Sequence, residues 1–304
     1  MNITVIIPTY QRLDYLKVAL KSCYDQTLLP DQILIGDDSK NDLTEKWISS
    51  EILNSVITIN YIRNNPGLGQ ADNVANLIDN VKTKYLLLLH DDDFLMPNAL
   101  HDLYQRIAEN DKIDVVYGKQ FIVDDKGNIN YSSTEKLNNF FFRRDNLQLD
   151  GLSVALRQQM PSNSFLIKTV IAKKVKYNLS HEVGDAVDFN FCLNLALHNA
   201  NFVFIEQYIS AYRVSRKDSI SAHSNAGYYS YKLVNSLTPS SKKLEDEINH
   251  FLEVKAPIAI SQAVNLGLIK DAKDIWMSKY HKKSRFSLGG LRRLLLILNF
   301  YFRK

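Results

Sequence analysis

The chain has 304 residues, 45% hydrophobic and 23% charged, with a formal charge of +4; that is room for one large domain or two smaller ones and is ordinary for a globular protein. Its two cysteines, Cys23 and Cys192, stand in no metal-ligand spacing, which argues against a disulfide framework or structural zinc and for a reducing compartment. No basic leader with an apolar core opens the sequence, and no uncharged apolar run reaches the ~18 residues of a membrane span, so neither a secretory signal nor a spanning helix is expected.

Ile3-Thr4-Val5-Ile6-Ile7 is a β-rich run ended by Pro8-Thr9-Tyr10, and Asp14 to Tyr24 carries Leu16, Ala19, Leu20 and Cys23 at helical spacing. Gln32 to Gly36 is a second strand ending in Asp37-Asp38-Ser39, followed by a helix near Leu43 to Ser50 and a third strand from Ile57 to Ile62. The turn Asn64-Asn65-Pro66-Gly67-Leu68-Gly69 leads into a helix over about 70–80. Tyr85 to Leu89 is a fourth strand, and Pro97 opens a helix to about Glu109 in the first turn, where proline is tolerated. Val115-Val116-Tyr117 and Phe121-Ile122-Val123 are short strands, turning at Asp125 to Asn128. Strands alternating with helices over this half predict an α/β fold, a doubly wound, mostly parallel sheet flanked by helices.

Between Asn130 and Gln159 no period is visible, and Phe140-Phe141-Phe142 reads as an irregular aromatic segment or a flap over a ligand. Ser164 to Ile167 is a strand, Phe189 to Ala196 a helix, and Asn201 to Ile205 a strand. The last ~80 residues are predicted mostly helical, including 242–256 and 259–266.

The fourth strand runs straight into His90-Asp91-Asp92-Asp93. A continuous apolar run is a strand buried on both faces, and open α/β sheets bind ligands outside the carboxyl ends of such strands. Adjacent carboxylates there raise one another's pKa and are relieved by a hard divalent ion, Mg²⁺ or Mn²⁺; the alternative is a solvated acidic loop tip.

A strand ending Pro8-Thr9-Tyr10, one ending Asp37-Asp38-Ser39, and one ending His90-Asp91-Asp92-Asp93 with Pro97 four residues on resemble, in this order and spacing, the family 2 glycosyltransferases. The resemblance covers about residues 2–221 and implies a GT-A fold and inverting transfer from a nucleotide-sugar donor. It implies a catalytic domain over 1–221, with a nucleotide-binding half of about 1–120 and an acceptor half of about 121–221, and a helical region over 222–304. Asp92 and Asp93, with His90 beside them, then become the metal residues, and Asp91 lies toward the donor. Tyr10 offers an aromatic face to the base, with Pro8, Thr9 and Arg12 beside it, unless it is a wedged surface tyrosine. Asp38 accepts from the base's ring N–H, and Asp37 joins it or caps a helix. Gly67 and Asn73 belong to the loop and helix under the nucleotide, where Asp72 replaces the basic residue of many members.

The resemblance also implies a general base at the start of the helix after the acceptor-side strand, which is Asp188, with Asp185 second; both are also ordinary first-turn acids. Arg213, Arg216 or Lys217 would neutralise the leaving pyrophosphate, although Ser215 replaces the family's histidine. A nucleotidyltransferase is disfavoured, because Pro8-Thr9-Tyr10-Gln11-Arg12 is no glycine- and lysine-rich phosphate loop. A catalytically silent sugar-nucleotide-binding or scaffold protein is the other alternative.

From Lys279 to the end stand eight Lys or Arg and no Asp or Glu, among bulky aliphatics. That pattern suits a helix lying on an anionic membrane, and an ordinary terminal helix docked on the core or on another subunit is the alternative; no groove-reading motif points to nucleic acid. The expected partners are a nucleotide-sugar donor, a saccharide or lipid-linked saccharide acceptor, and the inner face of the cell membrane, with a cytoplasmic location.

Overall fold

A computed structural model of the chain describes residues 2–177, 180–214 and 224–302. By internal contacts the chain divides into two units, Met1–Leu179 with Phe191–Ser219, and Ser180–Asn190 with Ile220–Lys304.

The first unit opens with β1 (Ile3–Thr9), α1 (Leu13–Tyr24), β2 (Gln32–Asp37), α2 (Leu43–Asn54), β3 (Thr58–Arg63), α3 (Gln70–Asn80) and β4 (Tyr85–Leu88). β1 and β4 are buried along their whole length, as strands with helices on both faces must be. The order is β3-β2-β1-β4, all parallel. Strands are added on one side of β1 and then on the other, so the carboxyl ends of β1 and β4 flank a topological switch point. α3 packs close beneath, because Gly36 of β2 leaves room: a Cβ there would lie 2.1 Å from Asn73 Oδ1.

The unit continues with β5 (Phe94–Leu95), α4 (Ala99–Ala108), β6 (Val115–Val123), α5 (Tyr131–Phe140), α6 (Gly151–Leu156), β7 (Leu166–Lys168), α7 (Thr169–Val175) and, further on, β8 (Phe202–Arg213). The eight-stranded sheet extends as β7-β6-β8-β5. β7 is antiparallel to β4 and β6, β5 is antiparallel to β8, and β6 and β8 are parallel, so the sheet is mixed beyond β4.

Several elements differ from expectation. Pro97 precedes α4, whose N-cap is Asn98. The short strands expected at 115–117 and 121–123 are one strand, irregular between Tyr117 and Lys119. Gly118 sits at that irregularity, where a Cβ would meet Gln207 O and Ile209 Cγ1, both at 2.5 Å. The stretch read as irregular holds α5 and α6, each started by a side-chain cap: Asn130 accepts from Ser133 N–H and Asp150 from Ser153 N–H. β7 pairs only with Val115 and Val116 of β6. α5 satisfies part of the remaining edge, Thr134 Oγ1 accepting from Ile122 N–H and Asn138 bonding both Gln120 N–H and Gln120 O.

The second unit holds α8 (Ser180–Val183), the start of α9 (Val187–Leu197), α10 (Ala226–Asn235), α11 (Lys242–Asn265), α12 (Ile269–Met277), a 3₁₀ turn (Lys279–Ser284) and α13 (Leu288–Phe302). α11 runs unbroken through Pro257, where two helices were expected. Its core face includes Ile248, Leu252, Ala259 and Ala263, and Phe251 stacks on Phe189 at 5.2 Å.

Candidate functional site

β4 delivers its acids to the switch point. Leu89 still bonds Ile6 O at 3.0 Å, and Asp93 N–H turns back onto His90 O at 3.2 Å. Asp91 is buried and accepts from Thr9 Oγ1 of β1 at 2.8 Å. Arg12 Nη1 donates to Asp92 Oδ2 at 2.7 Å and lies 3.6 Å from Asp91 Oδ1. Asp93 is 1% exposed, its Oδ1 accepting from Arg213 N–H and its Oδ2 from Asn163 Nδ2, both at 2.8 Å.

Arg213, expected to face a leaving pyrophosphate, is engaged elsewhere. Its Nε donates to Asp92 O, its Nη1 to Asp124 O and Asp125 O, and its guanidinium lies 4.9 Å from the Tyr15 ring. Those bonds fasten the acidic turn to the loop after β6. Arg216, Lys217 and Ser215 lie outside the described residues.

His90, Asp92 and Asp93 each offer a ligand atom, all within 4.8 Å of one another. The Asp93 carboxyl is pushed up to about 7 and that of Asp91 to about 6, by burial first and then by the charge on Asp92. A divalent cation would relieve that cost, and carboxylate oxygens suit Mg²⁺ or Mn²⁺. The carboxylates therefore fit such an ion. The imidazole, as held, does not. Asn163 Nδ2 lies 3.2 Å from His90 Nδ1. The same amide nitrogen donates to Asp93, and its oxygen accepts from Ser164 Oγ, which fixes which way the amide faces. Nδ1 is thus an acceptor, and the neutral ring carries its proton on Nε2, which is buried without a hydrogen-bond partner.

On the β1–β2 side, the side chain of Tyr10 is 46% exposed, with its ring open to stacking. Gln11 next to it adopts a φ of 54°, and its N–H donates to Ser39 Oγ. Asp37 is fully buried, accepting from Ser39 N–H and Tyr61 OH. It braces this loop and caps no helix, since α2 starts after Asp42. Asp38 accepts from Asn64 Nδ2 at 2.8 Å and Gly69 N–H at 2.7 Å, leaving a lone pair on each oxygen. A Cβ on Gly67 would lie 3.0 Å from Asp38 O. Pro8 pairs with Gly36 within the sheet, and Asn73 is buried, donating to Gly36 O. These two shape the floor under the crevice.

Asp188 stands half-buried in the first turn of α9. Asp185 is bound reciprocally to Asn225, its Oδ2 accepting from Asn225 N–H and its own N–H donating to Asn225 Oδ1, both at 2.8 Å. That exchange anchors the start of α10. Both acids belong to the second unit.

Sequence reasoning missed Asn163, Asn64, Ser39 and Tyr61. Asn163 lies in the run Pro161-Ser162-Asn163-Ser164, and turn composition does not reveal which polar side chain faces inward.

Residues 4–166 match the sequence profile of glycosyl transferase family 2. An uncharacterised glycosyltransferase of Methanocaldococcus jannaschii is 24% identical over 75% of this chain and 77% of its own. The GalNAc(5)-diNAcBac-PP-undecaprenol β-1,3-glucosyltransferase of Campylobacter jejuni is 22% identical over 81% and 75%. Among solved structures, residues 1–349 of Staphylococcus aureus TarS with UDP align with a TM-score of 0.67 at 16% identity, over 91% of this chain and 80% of that one. The chain spans 49% of the longer TarS chain. A Pyrobaculum calidifontis mannosyltransferase with GDP-Man and Mn²⁺ aligns with a TM-score of 0.64 at 10% identity, over 98% and 87%. With the profile covering more than half of its length and the acidic turn standing at the switch point of the matching fold, this chain belongs to glycosyl transferase family 2 and is a glycosyltransferase of the GT-A fold.

Proposed function

We propose that the protein moves a hexose, with inversion, from a UDP-sugar to a saccharide or lipid-linked saccharide acceptor in surface polysaccharide synthesis. The observation that carries this reading is the cluster of Asp92 and Asp93 at the carboxyl end of β4, beside the open ring of Tyr10 and the carboxylate of Asp38. Tyr10 stacks on the base and Asp38 takes its ring N–H, while Thr9 and Arg12 hold Asp91 and Asp92 in place. Asp92 and Asp93 would hold Mn²⁺ or Mg²⁺, which when bound would offset the charge developing on the leaving pyrophosphate. Asp188 takes the proton from the acceptor hydroxyl, with Asp185, whose Oδ2 also accepts from Asn225 N–H, as the second candidate. The catalytic module is assigned to 1–221, with the helical region following.

The UDP held by the TarS fragment, the Mn²⁺ held by the mannosyltransferase and the lipid-linked acceptor in the name of the Campylobacter relative support donor, metal and acceptor in turn. The test is the melting temperature across UDP-, GDP-, CMP- and dTDP-sugars, with and without Mn²⁺. A donor present at a hundred times its Kd adds about 2.7 kcal/mol of stability, so a UDP-sugar should raise the melting point by several degrees, more with Mn²⁺ than without. If no sugar nucleotide shifts it under either condition, the reading fails. A shift without donor consumption, with saccharide acceptors present, would instead establish the silent binding protein.

A further inference from the structure

The two faces of α13 are reversed from those of an ordinary surface helix. The inward side carries Gly290, Arg293 and Ile297, at helical spacing. Ile297 is buried, Gly290 O accepts from Trp276 Nε1, and Arg293 Nε donates to Pro257 O of α11. The outward side carries Leu288, Leu291, Leu295 and Leu298, all exposed, Leu288 at 90%, with Phe286 before them at 77%. A helix that docks through glycine and arginine while showing leucines to water leaves an apolar stripe that ordinary surface helices bury.

The charge on the segment that carries the stripe is of one sign. No Asp or Glu occurs from Lys279 onward. Some of the cations there are committed within the unit: Lys283 to Glu253, Arg285 to the carbonyls of Trp276, Met277 and Ser278, and Arg293 to Pro257. Lys279, Lys282 and Arg292 remain exposed. A second copy of the chain would bring a like-charged rim against this one, whereas an anionic surface neutralises it. Among the described residues no helix is long and apolar enough to cross a membrane, so the stripe lies on a surface rather than through it.

We propose that α13 and the 3₁₀ turn before it form a preformed docking face for an anionic lipid bilayer, with the leucines entering the headgroup boundary and Lys279, Lys282 and Arg292 meeting lipid phosphates. The helix is already folded and fastened to α11 and α12, so docking adds no helix.

The full chain is sedimented with vesicles of phosphatidylcholine alone and with vesicles containing 30% phosphatidylglycerol. Binding should be at least about tenfold stronger to the anionic vesicles, given the contribution of each cation near such a surface, and should weaken with added salt. Far-ultraviolet circular dichroism should not change on binding. Leu288→Glu with Leu295→Glu should abolish vesicle binding while the melting temperature stays within a few degrees, because both side chains already face water. Arg292→Glu with Lys282→Glu should remove the preference for anionic lipid. Failure of the wild-type chain to bind anionic vesicles, or undiminished binding by the double-Glu variant, would overturn the proposal. A concentration-dependent dimer that the same variant dissociates, without vesicle binding, would replace it with self-association.

Discussion

Asn163 gives His90 a fixed hydrogen-bonding role. Its amide nitrogen serves Asp93 Oδ2 and His90 Nδ1 together, and turning the amide over would place its oxygen against a carboxylate oxygen. The imidazole is thereby held as an Nε2–H donor, whereas metal-bound histidines present a bare nitrogen to the ion and donate from the other. We therefore assign the ion to Asp92 and Asp93 rather than to His90. Titrated calorimetrically with Mn²⁺ in the absence of donor, His90→Ala should bind within about twofold of wild type, while Asp92→Asn should lose about tenfold or more, the scale on which metal-site changes act. A comparable loss in both variants would return His90 to the metal shell, and ¹⁵N chemical shifts of the ring would report the tautomer directly. Asp188 is subject to a separate test. If it is the general base, Asp188→Asn should lower kcat by roughly 10²–10⁴-fold with donor affinity unchanged; a folded variant that transfers sugar at near wild-type rate would move the base elsewhere.

The elements that were hardest to read are held by polar groups. The first half of the fold was legible because β1, β2 and β4 are apolar runs and α3 repeats its buried residues at helical spacing. α5 has no such period: its buried residues are Thr134 and Asn138, present for their hydrogen bonds to the edge of β6. β6 looked like two strands because Gly118 interrupts it, and α11 looked like two helices because of Pro257. At the candidate site, the strand ends marked the acidic turn and Tyr10 as candidates. Spacing could not tell that Arg12 pairs with the side chains of Asp91 and Asp92 whereas Arg213 bonds backbone carbonyls, because both are single basic residues near strand ends. The segment after α5 is organised around Gln159, which is fully buried. Its Oε1 accepts from Tyr117 OH, its Nε2 donates to Phe142 O and Leu147 O, and its backbone O accepts from the buried Arg143, whose pKa burial lowers to about 10. Gln159→Met keeps the volume but strands several of these groups, each costing about 1–3 kcal/mol. Urea unfolding should show a loss of at least about 3 kcal/mol. A loss under about 1 kcal/mol would mean that water replaces the amide and that the segment does not depend on it.

Stability of the whole molecule should carry the signature of the acidic turn. Asp91 and Asp93 have folded-state values raised to about 6 and about 7, against about 3.9 for an unfolded aspartate. Between roughly pH 4 and 7 the folded chain therefore holds protons that the unfolded chain has released, and stability falls as pH rises through that window. This is the reverse of the ordinary ion-paired aspartate, whose contribution is lost on acidification. In EDTA the melting temperature should decline from pH 5 to pH 7.5 and then level. Asp93→Asn, which cannot ionise, should remove the larger part of the decline. Mn²⁺ competes with the same protons, so the stabilisation it gives should grow over the same interval, by up to about 1.4 kcal/mol per pH unit for each proton displaced. The free protein should then be most robust in mild acid and the Mn²⁺-loaded protein near neutrality. A melting temperature independent of pH from 5 to 7.5 in EDTA would show that the two carboxyls are ionised in the fold without help, and would remove the electrostatic reason for a cation at the end of β4.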